Sequence, residues 1–216
     1  MKALLNKEFK LCLHPTNLIF LSMALMLLIP SYPYYVAFFY TTLGIFFMFI
    51  TGRETGDVVF SALLPIRKRD IVKARVVNIA IIEAVQLIIS VPFALLGAKI
   101  NPYGFNAVGM EANAAFFGLV MIMFTVFNIS FIPAFYRTAH KAGGPFALGS
   151  TLVFIYIVAA EGAVNLLPFF KNCLDNFDAA YLPLRLGVLS AGIVIWALGL
   201  FAAFKKAAAN FEKVDI

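Results

Sequence analysis

Six apolar runs, separated by short polar segments, constrain this 216-residue sequence more than any other feature. They cover residues 16–30, 34–51, 76–96, 114–135, 146–168 and 184–204. An α-helix needs about 20 apolar residues to cross the hydrocarbon core of a bilayer. Hydrophobic residues make up 62% of the chain and charged residues 13%, whereas soluble domains have about 45–50% and about 25%. We therefore expect an all-α integral membrane protein, with residues 1–216 forming one domain of six transmembrane helices.

The distribution of basic residues predicts which ends of these helices face the cytoplasm. All Lys and Arg except Lys99, Lys171 and Arg185 lie in segments 1–15, 52–75, 136–145 and 205–216. Cytoplasmic segments of membrane proteins are enriched in Lys and Arg, and the strongly basic segment 52–75 would lie outside if the first run did not cross. Both termini are therefore expected in the cytoplasm. The same bias accounts for the net charge of +6, so no nucleic-acid partner is expected.

Motifs for catalysis and nucleotide binding are not found in the sequence. It has no Gly-x-x-x-x-Gly-Lys-Ser/Thr run for phosphates, no His-Glu-x-x-His for zinc and no Gly-x-Ser-x-Gly elbow. No pair of carboxylates stands at helical spacing inside a run. We expect a non-catalytic chain without a cofactor of its own, so that any active work would draw on a partner or an ion gradient.

Two acidic residues lie inside the apolar runs, each with an amide on the same helical face. Gln86 follows Glu83 by three residues, and Asn165 follows Glu161 by four. A charged side chain in the bilayer costs several kcal/mol, roughly 2.5–3.5 on insertion scales, so such residues usually face a bundle interior or a cavity. Two interpretations stay open: a pathway lining or proton site, and interhelical hydrogen bonds that hold the bundle together.

The segment 52–75 combines a predicted short helix, a proline corner and dense charge. Thr55 or Asp57 can cap a helix that ends before Pro65, and a second helix is expected from Arg67 into the third run. An anchor on anionic lipid needs only basic residues, whereas this segment also has acids and an ordered Leu-Leu-Pro-Ile corner. Docking of a cytoplasmic partner is therefore favoured over lipid anchoring. The docking residues would be Arg53, Glu54, Asp57, Phe60, Leu63, Leu64, Pro65, Ile66, Arg67, Lys68 and Asp70.

Two further patterns predict membrane contacts. Residues 1–14 are predicted to form an imperfect amphipathic helix, in which Glu8 falls within the apolar arc, and such a helix would lie on the membrane surface. In the sixth run, Gly187 and Ala191 are four residues apart and make a small-xxx-small pair. Pairs of this kind let helices approach closely in lipid, although the motif is common and supports dimerisation only weakly.

The sequence resembles the type-2 ABC export permeases, and within them the small bacterial permeases of the phenol-soluble-modulin exporter kind. The resemblance lies in the opening Met-Lys-Ala-Leu-Leu-Asn-Lys-Glu-Phe-Lys and in the six-run plan. It also lies in the string Asp57-x-x-Phe60-x-x-Leu63-Leu64-Pro65-Ile66, which is followed by Ile71, Val72, Ala74 and Arg75. Only segments of about 1–13 and 53–76 carry it in sequence.

The resemblance implies that this chain is the permease subunit and that a separate ATPase subunit would bind ATP and Mg. Residues 1–13, including Lys7, Glu8, Phe9 and Lys10, would form an interfacial connecting helix. Residues 55–64 and the following Pro65–Lys68 corner would be the coupling helix that enters a groove on the ATPase. Two permeases, expected as a homodimer, and two ATPases would work in the bacterial plasma membrane. The second and fifth runs would line the route of an amphipathic or hydrophobic peptide, toxin or antibiotic, with Phe46, Phe47, Phe49, Glu161 and Asn165 near it.

Three other classes remain as alternatives. A substrate-binding membrane component of an energy-coupling uptake system also has about six spans, but would carry its docking motif as small residues within spans. An intramembrane enzyme would need an acid, His or Ser cluster at one depth. A scaffold or assembly factor needs no motif at all.

Overall fold

The computed structural model describes residues 2–8, 15–63, 65–101 and 106–214, and this part of the chain is helical without any strand. Helices α1–α4 are Lys2–Lys7, Thr16–Leu21, Tyr35–Glu54 and Asp57–Leu63, and α2 continues as a 3₁₀ helix over Ser22–Leu28. Helices α5–α8 are Lys68–Ile100, Ala114–Phe135, Gly143–Leu166 and Leu182–Glu212. Between α7 and α8 lie a π-helical turn, Phe170–Leu174, and a 3₁₀ turn, Ala179–Tyr181.

Five helices, α3, α5, α6, α7 and α8, are long and apolar enough to cross a membrane. Their number and length confirm the prediction of an all-α, multi-pass membrane protein. The helix predicted to begin near Arg67 is also found, because α5 runs without a break from Lys68 to Ile100 over 33 residues. We call the end of the bundle where α3 ends and α5 begins the basic end, since Arg53, Arg67 and Arg69 lie there.

The first apolar run differs from the predicted span. Its helical part covers only Thr16–Leu28, of which the second half is 3₁₀. At rises of 1.5 and 2.0 Å per residue it is about 23 Å long, short of the roughly 30 Å hydrocarbon core. It packs closely at two glycines: Asn17 lies against Gly44 of α3, and the backbone at Leu27 lies against Gly97 of α5.

Helices α3 and α6 form the centre of the bundle through aromatic contacts. The ring of Phe49 meets those of Phe131 and Phe135 with centroids 4.9 and 4.6 Å apart, and Tyr35 meets Phe116 at 4.8 Å. All five side chains are at most 1% exposed. Large tilted and edge-on aromatic pairs of this kind hold two helices in a defined register. By contrast, α7 and α8 expose most of their apolar surface outward.

Helices α6 and α8 approach each other at small residues. A Cβ on Gly192 would lie against the backbone of Gly118, and a Cβ on Gly199 would lie against Thr125. The close-packing face of α8 is thus Gly192 and Gly199, and it is used inside the chain. Gly187, expected in a close contact between helices, has no described atom of this chain within 4 Å of its Cβ position, and a contact with a second copy stays a prediction. A pair four residues apart cannot reveal from sequence alone which side of a helix meets a neighbour.

Candidate functional site

Four charged side chains from α1, its following residue, α4 and α5 meet at the basic end. Lys7 Nζ lies 2.6 Å from Asp57 Oδ1 and also donates to Ser61 Oγ at 2.6 Å. Arg75 Nη2 donates to Asp57 Oδ2 at 2.6 Å, and Arg75 Nε contacts the Glu8 carboxylate. We call Lys7, Glu8, Asp57 and Arg75 the ion cluster. It joins three segments that are far apart in sequence.

The ion cluster is buried and balanced in charge. Glu8, Asp57 and Arg75 are at most 4% exposed. Two acids and two bases neutralise one another, and this pairing is what makes burial of charge tolerable. The guanidinium of Arg75 also lies 5.2 Å from the centroid of the Phe49 ring. Gly52 leaves room for it, because a Cβ there would come within 3.1 Å of Arg75 Nη1.

Helix α4 buries two polar side chains and exposes two large apolar ones. Asp57 and Ser61 face the ion cluster and are buried, whereas Phe60 and Leu63 are 60% and 76% exposed. The expectation that Asp57 meets a partner therefore does not fit this chain, where its carboxylate binds Lys7 and Arg75. A single acid in a charged segment looks surface-exposed from sequence, because its partners lie in other segments.

The remaining residues predicted for docking are mostly accessible. Arg53, Glu54, Pro65 and Arg67 are exposed, Asp70 pairs with Arg67 at 3.0 Å, and Ile66 packs partly against the core. Lys68 is turned back to the chain's own C-terminal end: Lys68 Nζ donates to the Val214 carbonyl at 2.6 Å. Leu64 lies outside the described residues. We call α4 and the corner that leads into α5 the elbow, and its exposed tip is Phe60, Leu63, Pro65 and Arg67.

Two charged residues of the N-terminal segment, Lys7 and Glu8, belong to the ion cluster. The predicted position of this segment on a membrane surface stays a prediction. Lys7 is half-buried and Glu8 is buried, both through contacts to α4 or α5. This explains why Glu8 interrupts the predicted apolar arc: its partner is Arg75, not water. Phe9 and Lys10, also predicted for this helix, lie outside the described residues.

Glu83 lies inside the bundle and is not exposed. Asn128 Nδ2 of α6 donates to its two oxygens at 2.9 and 3.2 Å, and Trp196 Nε1 of α8 donates to Oε2 at 2.6 Å. Gln86 is also buried and donates to Ser90 Oγ at 3.4 Å. The prediction that Glu83 and Gln86 face inward is confirmed. Because its partners come from two other helices, this site supports the bundle-holding interpretation for Glu83.

Asn128 and Trp196 were not identified from the sequence. Asn128 stands alone in an apolar run, and Trp196 is the only Trp of the chain. Asn128 lies on the next helix and Trp196 lies three helices further along the chain from Glu83, so spacing gave no reason to combine them. One chemical signal was available in the sequence. A buried carboxylate in lipid needs N–H donors, and Asn128 and Trp196 are among the few side chains with an N–H group in the runs that follow Glu83.

Glu161 and Asn165 do not share an environment. Glu161 is partly buried, and its Oε2 accepts from the backbone N–H of Met110 at 3.1 Å. Asn165 is exposed and donates to the Glu161 carbonyl at 2.9 Å. The expected inward-facing pair on α7 is therefore found only for the acid. Gly109 allows the approach, because a Cβ there would lie 2.7 Å from Glu161 Oε1.

The three phenylalanines expected along a route have different positions. Phe46 is partly exposed and stacks on Phe146 of α7, with centroids 4.2 Å apart. Phe47 is partly exposed and lies 6.2 Å from the Phe20 ring. Phe49 is buried between Arg75 and α6, so within this chain it belongs to the core and lines no route. Helical spacing does not separate core from lining positions in a run that is apolar on all sides.

At the end opposite the basic end, carboxylates bind two connecting segments together. The Glu111 backbone N–H donates to Asp175 Oδ1 at 2.7 Å, and the Asn106 N–H donates to Glu111 Oε1 at 2.5 Å. Burial raises the pKa of Glu111, against the Asn106 hydrogen bond, and nearby Asp175 raises it further. Burial also raises the pKa of Asp175, against the Glu111 N–H and Lys171. These groups line a cavity of about 590 Å³.

These raised pKa values predict a pH-dependent stability. The folded chain holds the protons of Glu111 and Asp175 more tightly than the unfolded chain does. Their contribution to stability is therefore present below about pH 4, the ordinary value of such groups, and is lost as pH rises through the raised values. We expect the thermal midpoint of the purified protein to fall over that interval, and Glu111→Gln to flatten the profile.

Asp178→Asn is the matched control for this profile, because Asp178 is an exposed carboxylate in the segment between α7 and α8 that also contains Asp175. Its profile should follow that of the unaltered chain. A Glu111→Gln profile that keeps the full slope would contradict the assignment.

The described residues define a class: an all-helical, multi-pass membrane protein with a buried ion cluster at its basic end. The short helix α4, which takes part in this cluster, exposes Phe60 and Leu63. Comparisons with family models, with curated proteins and with solved structures found no match. The arguments for function therefore come from these residues and contacts.

Proposed function

We propose that this chain is the transmembrane permease subunit of an ATP-driven exporter of the type-2 ABC kind. It would move an amphipathic or hydrophobic cargo out of a bacterial cell, with ATP and Mg bound on a separate ATPase. The observation in its favour is the exposed pair Phe60 and Leu63 on a short helix at the basic end. Exposed large apolar side chains next to Arg67 are typical of interface anchors, in which aromatic and Arg residues carry much of the binding energy.

The attachment of α4 supports a mechanical role for that helix. Asp57 and Ser61 fasten it to Lys7 before the bundle and to Arg75 in α5. Arg75 in turn lies on Phe49 of α3. A displacement of α4 would therefore be transmitted to both α3 and α5. An ATPase that binds differently to two arrangements of this elbow could shift the bundle between them.

Six crossings, with both termini cytoplasmic, are part of the proposal. Glu8 contacts Arg75 and the backbone at Leu27 contacts Gly97, both on α5. Those two positions of α5 are separated by about 33 Å of helical rise, close to the thickness of a hydrocarbon core. This spacing supports a crossing between Glu8 and Leu27, although the helical part of the first run is only about 23 Å long. This favours the even number of crossings that the positive-inside bias requires.

A second copy of the chain would complete the cargo route. Helix α7 exposes Phe154, Ile155 and Val158. In a homodimer with two ATPases, this face and the partly exposed Phe46 and Phe47 would be available to an apolar cargo. Lipid would otherwise cover the same face.

The first experiment is purification of the tagged chain from its native membrane in mild detergent, with mass spectrometry of what accompanies it. We expect a stoichiometric soluble protein with a phosphate-binding P-loop, cross-linked to the segment 55–68. A lone chain at every salt concentration would contradict the proposal and favour a scaffold or an enzyme.

Phe60→Ala with Leu63→Ala is expected to weaken ATPase binding by about 30-fold or more, since anchors of this kind contribute about 2 kcal/mol or more. ATPase stimulation by the permease should fall in parallel. The measurement is a titration of the purified ATPase into detergent-solubilised permease.

Leu148→Ala is the matched control, because Leu148 is also a half-exposed apolar residue but lies on α7. It should leave the titration unchanged. Equal affinities for the two variants would assign the exposed tip of α4 to lipid rather than to an ATPase.

A further inference from the structure

A groove between α5 and α8 opens at the basic end of the bundle. Its volume is about 550 Å³. The deeper walls are apolar: Val76, Val77 and Ala80 from α5, and Leu200, Phe201 and Phe204 from α8. All the described residues that line it belong to α5, to Arg67 directly before α5, or to α8. In a bilayer, lipid could enter the groove between these two helices.

The mouth of this groove is cationic. Arg67, Arg69 and Lys73 line it, all exposed, and the single acid there, Asp70, is paired with Arg67 at 3.0 Å. This leaves Arg69 and Lys73 without an acid in the groove. Lys205 of α8 adds a cation over a groove residue, with its Nζ 4.7 Å from the centroid of the Phe201 ring.

Aromatic rings orient these cations at the boundary of the apolar part. The Arg69 guanidinium lies 5.4 Å from the Phe204 centroid, so each of the two aromatic walls carries a cation at its outer edge. Cation–π contacts of this kind hold a charged head in place while leaving its N–H groups free to donate. From Lys73 to Ala80 the groove runs along two turns of one face of α5, from charged to fully apolar.

We propose that this groove binds one anionic phospholipid of the adjacent leaflet, with its phosphate between Arg69 and Lys73 and an acyl chain along Val77, Ala80 and Leu200. Basic pockets between transmembrane helices suit anionic headgroups, because charge and an apolar slot are presented together. A zwitterionic lipid fits the slot but does not neutralise the excess positive charge. The site is independent of the proposed transport function.

The single Trp of the chain provides the readout. Trp196 lies one turn deeper than Leu200 on α8, and its indole donates to Glu83, which lies one turn deeper than Ala80 on α5. The indole therefore lies about one helical turn beyond the deepest residues of the groove on both helices. Bromine atoms on a lipid chain quench indole fluorescence only at close range.

The experiment compares brominated phosphatidylglycerol with brominated phosphatidylcholine, each at the same molar fraction in vesicles that contain the full chain. We expect phosphatidylglycerol to quench Trp196 with a relative affinity at least about tenfold higher, since two cations near a membrane surface each contribute roughly a factor of five. Arg69→Gln with Lys73→Gln should abolish this preference. Equal quenching of the unaltered chain by both lipids would overturn the proposal, because it would show ordinary annular lipid.

Lys99→Gln is the matched control, because it removes a charge from the other end of α5. It should keep the full preference, and loss of preference in this control would contradict a local site. Val77→Phe narrows the slot without changing charge and should reduce quenching by phosphatidylglycerol. Unchanged quenching in that variant would show that no acyl chain enters the groove and would also overturn the proposal.

Discussion

Arg75→Ala is expected to lower the free energy of unfolding by about 3–5 kcal/mol, because it leaves Glu8 and Asp57 buried with only Lys7 to compensate them. The guanidinium also contacts three separate parts of the chain: Glu8 directly after α1, Asp57 in α4 and Phe49 in α3. Its loss should release α1 and α4 from α5. Thermal unfolding of the purified protein in detergent measures the first effect, and faster tryptic cleavage after Lys7 measures the second.

Lys99→Ala is the control for this experiment. Lys99 lies on the same helix but is exposed, and exposed substitutions usually change stability by less than about 0.5 kcal/mol. Arg75→Lys should be intermediate, because a single ammonium cannot contact both carboxylates in the way a guanidinium does. If Arg75→Ala and Lys99→Ala unfold at the same temperature, the ion cluster does not hold α4 against α5.

Gly192→Leu is expected to prevent α8 from packing on α6, with a loss of more than about 3 kcal/mol or no folded protein at all. Even a Cβ at this position would meet the Gly118 carbonyl carbon at 2.8 Å and its Cα at 2.7 Å. These are backbone atoms, so no rotamer change relieves the overlap, and the helices must separate. Overpacking in well-packed interiors costs about 1–3 kcal/mol where side chains can shift, and here they cannot. Size-exclusion profiles and thermal midpoints in detergent measure the outcome.

Gly187→Leu provides the matched comparison on the same helix. Its Cβ position has no atom within 4 Å, so the substitution should leave the profile unchanged. The opposite result, damage at Gly187 and tolerance at Gly192, would restore the sequence-based expectation that the Gly187 face packs closely, and would contradict the α6–α8 interface described above.

The positions of the long helices followed from the sequence because burial in lipid requires uninterrupted apolar runs. The runs beginning at 34, 114, 146 and 184 each correspond to a single long helix. The first run was harder to predict, because its apolar composition is compatible with either an α-helix or the observed 3₁₀ helix over Ser22–Leu28. This run also packs against Gly44 and Gly97, and contacts with such distant helices are contained in no local pattern.

The candidate site was predictable only in part. That Glu83 must face inward follows from the cost of a carboxylate in lipid. That its donors are Asn128 and Trp196 depends on how α5, α6 and α8 are arranged, with one donor 113 positions along the chain. Asp57 shows the reverse case: a charged residue in a hydrophilic segment looks exposed until Lys7 and Arg75 are placed beside it.

The sequence alone thus determined the environment of this protein, because composition and the placement of Lys and Arg respond directly to a bilayer. The five long helices, the inward face of α5 and the exposed apolar pair on α4 follow from the same local patterns. Tertiary structure decided which charges are buried, which glycines bring helices together and where the groove between α5 and α8 opens. These depend on contacts between distant residues, such as Glu8 with Arg75 and Gly118 with Gly192, whose energies exist only once the helices have packed.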